Sequence, residues 1–476
     1  MDKPMNKTMD PRTRRLVEAP VTPTILRLAG PNVLVMLVQA SIGLIETYFI
    51  AKLGLDALAG VAIVFPLVML LTMISAGAMG GGIMSAVARA LGAGDKQRAN
   101  DLVWSAVLIT IVLGATITAF ALLFGPKLYA LMGGEGASLA AATTYAGIVF
   151  TGAIPLWLYN SMAAAIRATG NMIFPASVMV VGAIVLIPLS PMLIFGVGPL
   201  PHLGVAGGAV ALVSYYVIGC FVFAWYLWSG RGVLQPPARP RRIAWEELAD
   251  ILRVGATSSV VSVSTNITIA TATGLAGLVG PAALAGYGTG ARLEYLLVPL
   301  VFGLGAPVAA MVGTAIGAGN RERALRVAWT GAAIAFVITE TIGIAAALFP
   351  AAWLSLFGAE SAMIATGAQY LRIVGPVYGF FGGGLLLYFA SQGAGRVGYP
   401  TAIAVLRTAI AAGGGYIAVE LLNGGSVSLF ATLAAALVIY GVLNVVAVAG
   451  GVWFRSRLPV TPMPRPLQAV PAVPDP

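Results

Sequence analysis

One carboxylic acid interrupts an apolar stretch near the N-terminus. Residues 42–52 read IGLIETYFIAK, and Glu46 has apolar neighbours on both sides. Withdrawal from water disfavours the charged form of a carboxyl group, so such a group can gain and lose a proton near neutral pH. Residues seven apart on a helix lie within about 20° of one another, which places Asn32, Gln39 and Glu46 on one polar stripe. We predict that this stripe faces the space between helix bundles, because lipid offers polar groups no partner, and that it carries proton or cation coupling.

Glu46 also has a structural interpretation, in which it hydrogen-bonds Gln39 or reaches the membrane surface near Lys52. A second carboxylate, Glu294, lies deep in another apolar run, where an unpaired charge is unfavourable. We expect it either to bind cargo or a cation, or to have a structural partner; Arg292 is a poor partner because it lies on another face of the helix.

Other polar and aromatic residues have less specific surroundings. Tyr159 and Tyr287 are candidates for the wall of a cargo cavity, because aromatic rings attract cations, although packing or a place in the lipid belt would also explain them. Glu340 and Arg372 are expected to form a structural ion pair.

Metal and nucleophile chemistry has few candidate residues. The chain has one histidine, His202, and one cysteine, Cys220. These numbers exclude a His/Cys metal cluster, a Cys–His catalytic pair and an intrachain disulfide. We therefore expect no enzyme activity, no metal and no cofactor.

The composition is that of a polytopic membrane protein. Of 476 residues, 59% are hydrophobic and 9% are charged, and the mean hydropathy is +0.93. Apolar runs long enough to cross a hydrocarbon core of roughly 30 Å recur along the chain. The sequence predicts an all-α fold with twelve transmembrane spans, near 24–50, 57–90, 100–124, 138–165, 171–196, 205–228, 249–279, 282–316, 324–349, 361–392, 399–422 and 427–454.

Basic residues fall on one side of these spans. The net charge is +10, and most of the surplus lies in the N-terminal segment, in alternate loops and after the last span. This positive-inside pattern and the even number of spans predict that both termini lie in the cytoplasm, and the pattern explains the basic charge without nucleic-acid binding. We expect the membrane to be a bacterial cytoplasmic membrane. The inner basic residues are Arg12, Arg14, Arg15, Lys96, Arg98, Arg231, Arg239, Arg241, Arg242, Arg321, Arg323, Arg455 and Arg457.

The chain contains an internal repeat. LGAGDKQRA at 91–99 returns as IGAGNRERA at 316–324, and the displacement of 225 residues also pairs Tyr145 with Tyr370. Six spans in each repeat give both copies the same orientation, so we predict two six-helix bundles related by a pseudo-twofold axis along the membrane normal. The same displacement relates the three residues of the stripe on the first span to Thr257, Ser264 and Thr271. We assign Ser264 and Thr271 to the cavity between bundles.

The repeat defines the predicted domains. They are a cytoplasmic N-terminal tail at 1–23, an N-lobe at 24–228, a cytoplasmic linker at 229–248, a C-lobe at 249–455 and a disordered Pro-rich tail at 456–476. Two facing bundles suit a carrier that opens alternately to each side better than they suit a fixed pore.

Several motifs together resemble the multidrug and toxic compound extrusion family. They are the repeated GAG-[D/N]-x-x-R-A loop, IETYFIAKLGLDALAG at 45–60, AIRATGNMIFP at 165–175 and GVGPLPHLGVAGGAVA at 196–211. The resemblance, over about 24–455, implies a two-lobed antiporter that exports organic, often cationic, compounds against H⁺ or Na⁺. It implies cation coupling at Glu46 and a possible hinge at Pro31, for which a role at the start of the helix is the alternative.

The coupling ion follows from departures from that family pattern. The family's acidic residue in the fifth span aligns with Ser190, and the tenth span has no acidic residue where the sodium-coupled branch tends to have one. The resemblance therefore favours H⁺, with Na⁺ as the alternative. A lipid-linked saccharide flippase, which resembles the same superfamily, is a further alternative and would be expected to have a more cationic cavity. We expect a functional monomer in the lipid bilayer, with small organic compounds as cargo.

Overall fold

The computed structural model describes residues 9–198, 201–240 and 243–454, except for the side chains at positions 40, 44 and 295. The predicted tail at 456–476 lies outside this part of the chain, as do Arg241, Arg242, Arg455 and Arg457. The regular elements within the described ranges are helical. Helices satisfy their own backbone hydrogen bonds, which lipid requires of a spanning segment.

The first half begins with a short helix before its six spans. A π-helical segment, Met73–Met79, joins two helices into the second span, and two short helices together form the fourth. The helices are α1 (Pro11–Glu18), α2 (Val21–Ala51), α3 (Leu55–Thr72), α4 (Gly80–Gly92), α5 (Lys96–Leu131), α6 (Gly136–Thr151), α7 (Ala153–Ala168), α8 (Ile173–Phe195) and α9 (Val205–Trp228).

The second half repeats the arrangement of six spans. A 3₁₀ turn, Gly375–Val377, joins the two helices of the tenth span, and π-helical segments at Ile410–Gly414 and Ile417–Leu421 extend the eleventh. The helices are α10 (Trp245–Val279), α11 (Pro281–Gly317), α12 (Arg321–Leu348), α13 (Pro350–Leu354), α14 (Ser361–Val374), α15 (Tyr378–Gly393), α16 (Gly398–Ala409) and α17 (Gly425–Ala449).

The predicted fold class is confirmed. Eleven described segments are long and apolar enough to cross a membrane, and α6 with α7, bent by 46°, makes the twelfth. Each half has its own apolar core, centred on residues such as Ile83 and Tyr159 in the first half and Leu386 and Phe430 in the second.

The first span connects these two cores. Ile25 and Ala29, near the start of α2, pack in the core of the second half. Ile50, near its end, packs in the core of the first half. The predicted tail at 1–23 also contains the ordered helix α1, whose Leu16 is buried against the second half.

The pseudo-twofold relation is visible where the halves meet. A Cβ added at Gly92 would lie 2.1 Å from the Thr314 carbonyl oxygen, and one at Gly317 would lie 2.0 Å from the Arg89 carbonyl oxygen. Gly92 and Gly317 are related by the 225-residue displacement, as are Arg89 and Thr314. The backbones of α4 and α11 therefore touch through equivalent glycines. This contact lies on the membrane side that carries α1 and the 229–240 connection, which we call the linker side; the opposite side is the far side.

Candidate functional site

Glu46 lies near the far end of α2, at the interior of the first bundle. The Tyr145 hydroxyl, from α6, donates a hydrogen bond to Glu46 Oε1 at 3.0 Å. Gly208 on α9 allows this approach, because a Cβ there would lie only 3.2 Å from the same oxygen. Tyr216, also from α9, is near enough to interact electrostatically with the carboxylate. Two helices that are distant from α2 in sequence, α6 and α9, thus approach one acid.

The hydroxyl group of Ser190 lies in the same small pocket as Glu46. Ser190 on α8 is 5% exposed, and its Oγ has no hydrogen-bond partner among the described residues. Ser190, Glu46, Ile42 and Leu186 line one small pocket. The site therefore presents one carboxylate, the hydroxyl groups of Tyr145 and Ser190, and Tyr216 nearby, and the rest of the small pocket is apolar. One carboxylate suffices to hold a proton, whereas cations without a transferable proton prefer more oxygen ligands.

The three residues of the predicted polar stripe on α2 do not form one site. Asn32 is buried and its Nδ2 donates to the Leu28 carbonyl of its own helix at 3.4 Å. Gln39 is exposed. Glu46 faces the interior of the first bundle and not the space between bundles, because the far end of α2 packs against α8. Neither Gln39 nor Lys52 is its hydrogen-bond partner; the Lys52 ammonium lies over the Tyr48 ring at 4.5 Å.

Glu294 in the second bundle is bound in the same way as Glu46 in the first. The Tyr370 hydroxyl, from α14, donates to Glu294 Oε1 on α11. Tyr370 is the repeat equivalent of Tyr145, so equivalent tyrosines each bind a carboxylate. The two carboxylates themselves are on non-equivalent helices. As expected, Arg292 is not the partner, since its guanidinium lies over the Phe357 ring at 5.0 Å.

The structure shows a cavity in the second bundle. It is not lined by the remaining residues predicted to face a cargo cavity, which are Tyr159, Tyr287, Ser264 and Thr271. The Tyr159 hydroxyl bonds to Tyr215 within the first core, and Tyr287 packs against Tyr370 and Phe430 in the second. Ser264 is buried, and its carbonyl accepts from Thr408 at 3.0 Å. Thr271 is half-buried. The neighbouring residue Thr265 lines the pocket instead.

That pocket contains an arginine for which the sequence predicted no site role. About 540 Å³ of empty space, part of it open to solvent, is enclosed mainly by α10, α11, α15, α16 and α17. Met73 and Gly77 of the second span close it from the first half. Arg407 is the charged residue in its lining. The sequence shows an arginine within an apolar span, which could have indicated a site, but it does not show which residues surround the guanidinium.

Two further predictions have simple outcomes. Glu340 does not pair with Arg372; its Oε2 accepts the Gly379 backbone N–H at 2.7 Å, which satisfies the carboxylate locally. Pro31 lies inside α2, which continues through it from Val21 to Ala51, so the alternative as a helix-start residue is wrong. Its role as a hinge stays a prediction.

Comparison with known proteins gives consistent matches. The family described as MatE matches the chain twice, at residues 31–192 and 256–417, with the same 225-residue displacement as the repeat. The FAD transporter of Shewanella oneidensis is 27% identical, over 79% of this chain and 82% of its own. "Probable multidrug resistance protein YoeA" of Bacillus subtilis is 28% identical, over 74% and 77%. A crystal structure described as MATE in the bent conformation superposes with a TM-score of 0.87 at 25% identity, covering 93% of this chain and 98% of that one.

Proposed function

Because this chain belongs to the MatE family of multidrug efflux transporters, we propose that it is a secondary antiporter that exports organic compounds in exchange for inward H⁺. The observation that carries H⁺ coupling is the single carboxylate of Glu46, bonded to Tyr145 in an apolar pocket. Na⁺ is the alternative coupling ion. Ser190 supports H⁺, since a hydroxyl there leaves the pocket with one acid.

A proton on Glu46 would change how α2 is held. An ionised carboxylate accepts a stronger hydrogen bond from the Tyr145 hydroxyl than a neutral carboxyl group does. Protonation from the far side would therefore weaken the attachment of α2 to α6. Since α2 packs in both cores, this change can reach the contact between bundles and favour cargo release on the far side. Loss of the proton to the linker side would complete the exchange.

The direction of export requires that the linker side face the cytoplasm. The distribution of arginine and lysine supports this orientation in a bacterial cytoplasmic membrane. Described members of the basic set on this side include Arg12, Lys96, Arg231 and Arg321. We propose that the functional unit is the monomer, whose two bundles form the transport path.

The charge of the cargo is a separate question. The resemblance implies organic cations, whereas the described cavity of the second bundle carries an arginine. The name of the Shewanella oneidensis relative makes FAD a second candidate cargo. Aromatic residues in the cavity lining, among them Phe302 and Phe389, favour a cargo with planar rings in either case.

Glu46→Gln tests the proposal in reconstituted vesicles with the pH gradient and the Na⁺ gradient imposed separately. We expect the pH gradient to drive transport of at least one of ethidium, carboxyfluorescein and FAD, and Glu46→Gln to reduce that transport at least tenfold at equal protein amounts. Glu360→Gln, which changes an exposed carboxylate at the start of α14, is the matched control. Undiminished transport by Glu46→Gln, or transport driven by Na⁺ alone, would contradict the proposal.

A further inference from the structure

The charge of the cavity in the second bundle depends on one side chain. Arg407 on α16 lines it, and the other lining residues are apolar, aromatic or hydroxyl-bearing. They include Phe381 and Tyr388 of α15, Phe302 of α11 and Tyr440 of α17. The cavity wall is therefore aromatic with a single positive charge.

The guanidinium of Arg407 has few partners within the protein. Its Nη2 donates to Thr265 Oγ1 at 3.3 Å, and its Nε has no partner among the described residues. The residue is 6% exposed, and its Cζ lies 5.2 Å from the Tyr440 ring centroid and 5.8 Å from that of Phe381. A guanidinium has five N–H donors, so most of its hydrogen-bonding capacity is unused.

The described part of the chain offers Arg407 no ion pair. Glu294 is near enough to interact electrostatically, but its carboxylate accepts from Tyr370 and forms no salt bridge with Arg407. A buried charge without a paired counter-charge is unfavourable inside a membrane, and such groups mark binding or transport sites. An anion bound at this position would supply a counter-charge in direct contact with the guanidinium.

We propose that this cavity binds organic anions that carry a planar ring system, with a carboxylate, sulfonate or phosphate on Arg407 and the rings among the aromatic residues. The planar guanidinium binds such oxyanions through two parallel hydrogen bonds. The proposal rests on the proposed export function and specifies its cargo. It reverses the expectation of cationic cargo.

The position of the cavity suits a transport site. The cavity lies in the second half, but Met73 and Gly77 of the first half form part of its wall. The Gln392 side chain, near the end of α15, donates to the Gly77 carbonyl at 3.1 Å. Movement of one bundle against the other would therefore change the cavity that holds the anion. A purely structural arginine, held by Tyr440 and Phe381, would impose no charge preference on cargo.

The test uses two dyes with the same tricyclic core and opposite charge. Reconstituted full-length protein is given carboxyfluorescein, an anion, or rhodamine 123, a cation, under a pH gradient; vesicles are filtered and lysed at one fixed pH before the dye is measured. We expect carboxyfluorescein to be transported at least tenfold faster. Arg407→Gln should lose most of this preference and Arg407→Lys should retain part of it. Arg292→Gln, an arginine of α11 outside the cavity lining, should leave it unchanged.

The outcomes separate this inference from the proposed function. Transport of rhodamine 123 without carboxyfluorescein would overturn the inference and support proton-driven export. An equal loss of both dyes in Arg407→Gln would also overturn it. If neither dye is transported by the wild type, ethidium and FAD decide whether the protein exports, and equilibrium binding of the dyes decides the inference. Binding of carboxyfluorescein that excess rhodamine 123 does not displace supports the inference, and its absence overturns it. The same binding measurement applies if Arg407→Gln is not recovered in membranes.

Discussion

At the scale of single residues, tyrosine hydroxyl groups bind two of the carboxylates within the spans. Tyr145 binds Glu46 and Tyr370 binds Glu294, and the two tyrosines are repeat equivalents. The surroundings differ, since Glu46 shares a small pocket with Ser190 whereas Glu294 lies near Arg407. Repeat-equivalent tyrosines thus bind acids that lie on non-equivalent helices.

Tyr145→Phe tests whether the proton acts through the first pair. The change removes the hydroxyl that binds Glu46 Oε1 and leaves the ring, so packing is preserved. A hydrogen bond to a charged group contributes about 1.5 kcal/mol or more, which corresponds to roughly a tenfold change in an equilibrium. We expect proton-driven transport to fall by about this factor, measured as initial rate under a fixed pH gradient.

Tyr370→Phe is the matched control for that measurement. It removes the equivalent hydroxyl from Glu294 and leaves the Glu46 pair intact. Equal losses in the two variants would argue that neither bundle is the specific site of coupling.

At the scale of elements, α1 links the two bundles on the linker side. The Arg323 guanidinium, from α12, donates to the carbonyls of Ala19 and Leu16. Leu16 also packs beside Gly170 of the first bundle, where a Cβ would lie 3.1 Å from its side chain. Arg12 donates weakly to the Tyr226 hydroxyl at 3.4 Å. α1 therefore stabilises the arrangement in which the linker side is closed.

Arg323→Ala should weaken this attachment. The carbonyls of Leu16 and Ala19 would lose their donor, and the linker side should open more often. Spin labels at Gln97 and Glu322, which are exposed, repeat-equivalent positions in the two bundles, would report a larger fraction of long distances. The native Cys220 is first replaced by serine. Arg326→Ala is the control. Its exposed side chain binds Glu322 of the same helix, so the label is moved from position 322 to Arg321 for this comparison. Arg326→Ala should leave the distances between Gln97 and Arg321 unchanged.

At the scale of the whole molecule, the bundles are joined by close backbone contact and by polar groups. Gly92 and Gly317 allow α4 and α11 to touch. Arg89 Nη2 binds Asp250 Oδ1 at 2.6 Å, which connects α4 to α10, and the Ser85 hydroxyl donates to the Gly393 carbonyl at 3.0 Å. These contacts are all on the linker side and must separate if that side is to open.

Gly317→Ala should prevent full closure of the linker side. The added methyl group would lie 2.0 Å from a backbone oxygen of Arg89, which cannot move aside as a flexible side chain could. We expect transport to fall by tenfold or more, with longer distances between the two labelled positions. Gly288→Ala on the same helix meets no atom within 4 Å and should behave as wild type. Normal transport by Gly317→Ala would show that this contact is not needed in the cycle.

The sequence by itself determined the twelve spans, the duplication and the candidate acid. Lipid forces each spanning segment into a helix of apolar residues, so span number can be read from hydropathy, and a carboxylate such as Glu46 is visible within an apolar run. The motifs that accompany it also indicated the family, which the paired match confirmed.

Only the tertiary structure decided what each of these residues touches. Tyr145 is 99 residues from Glu46, and Thr265 is 142 residues from Arg407. The stripe on α2 divides among different surroundings because one end of the helix packs in the second core and the other in the first. Helical periodicity fixes which residues share a face, but the neighbours of that face depend on how helices far apart in the chain pack together.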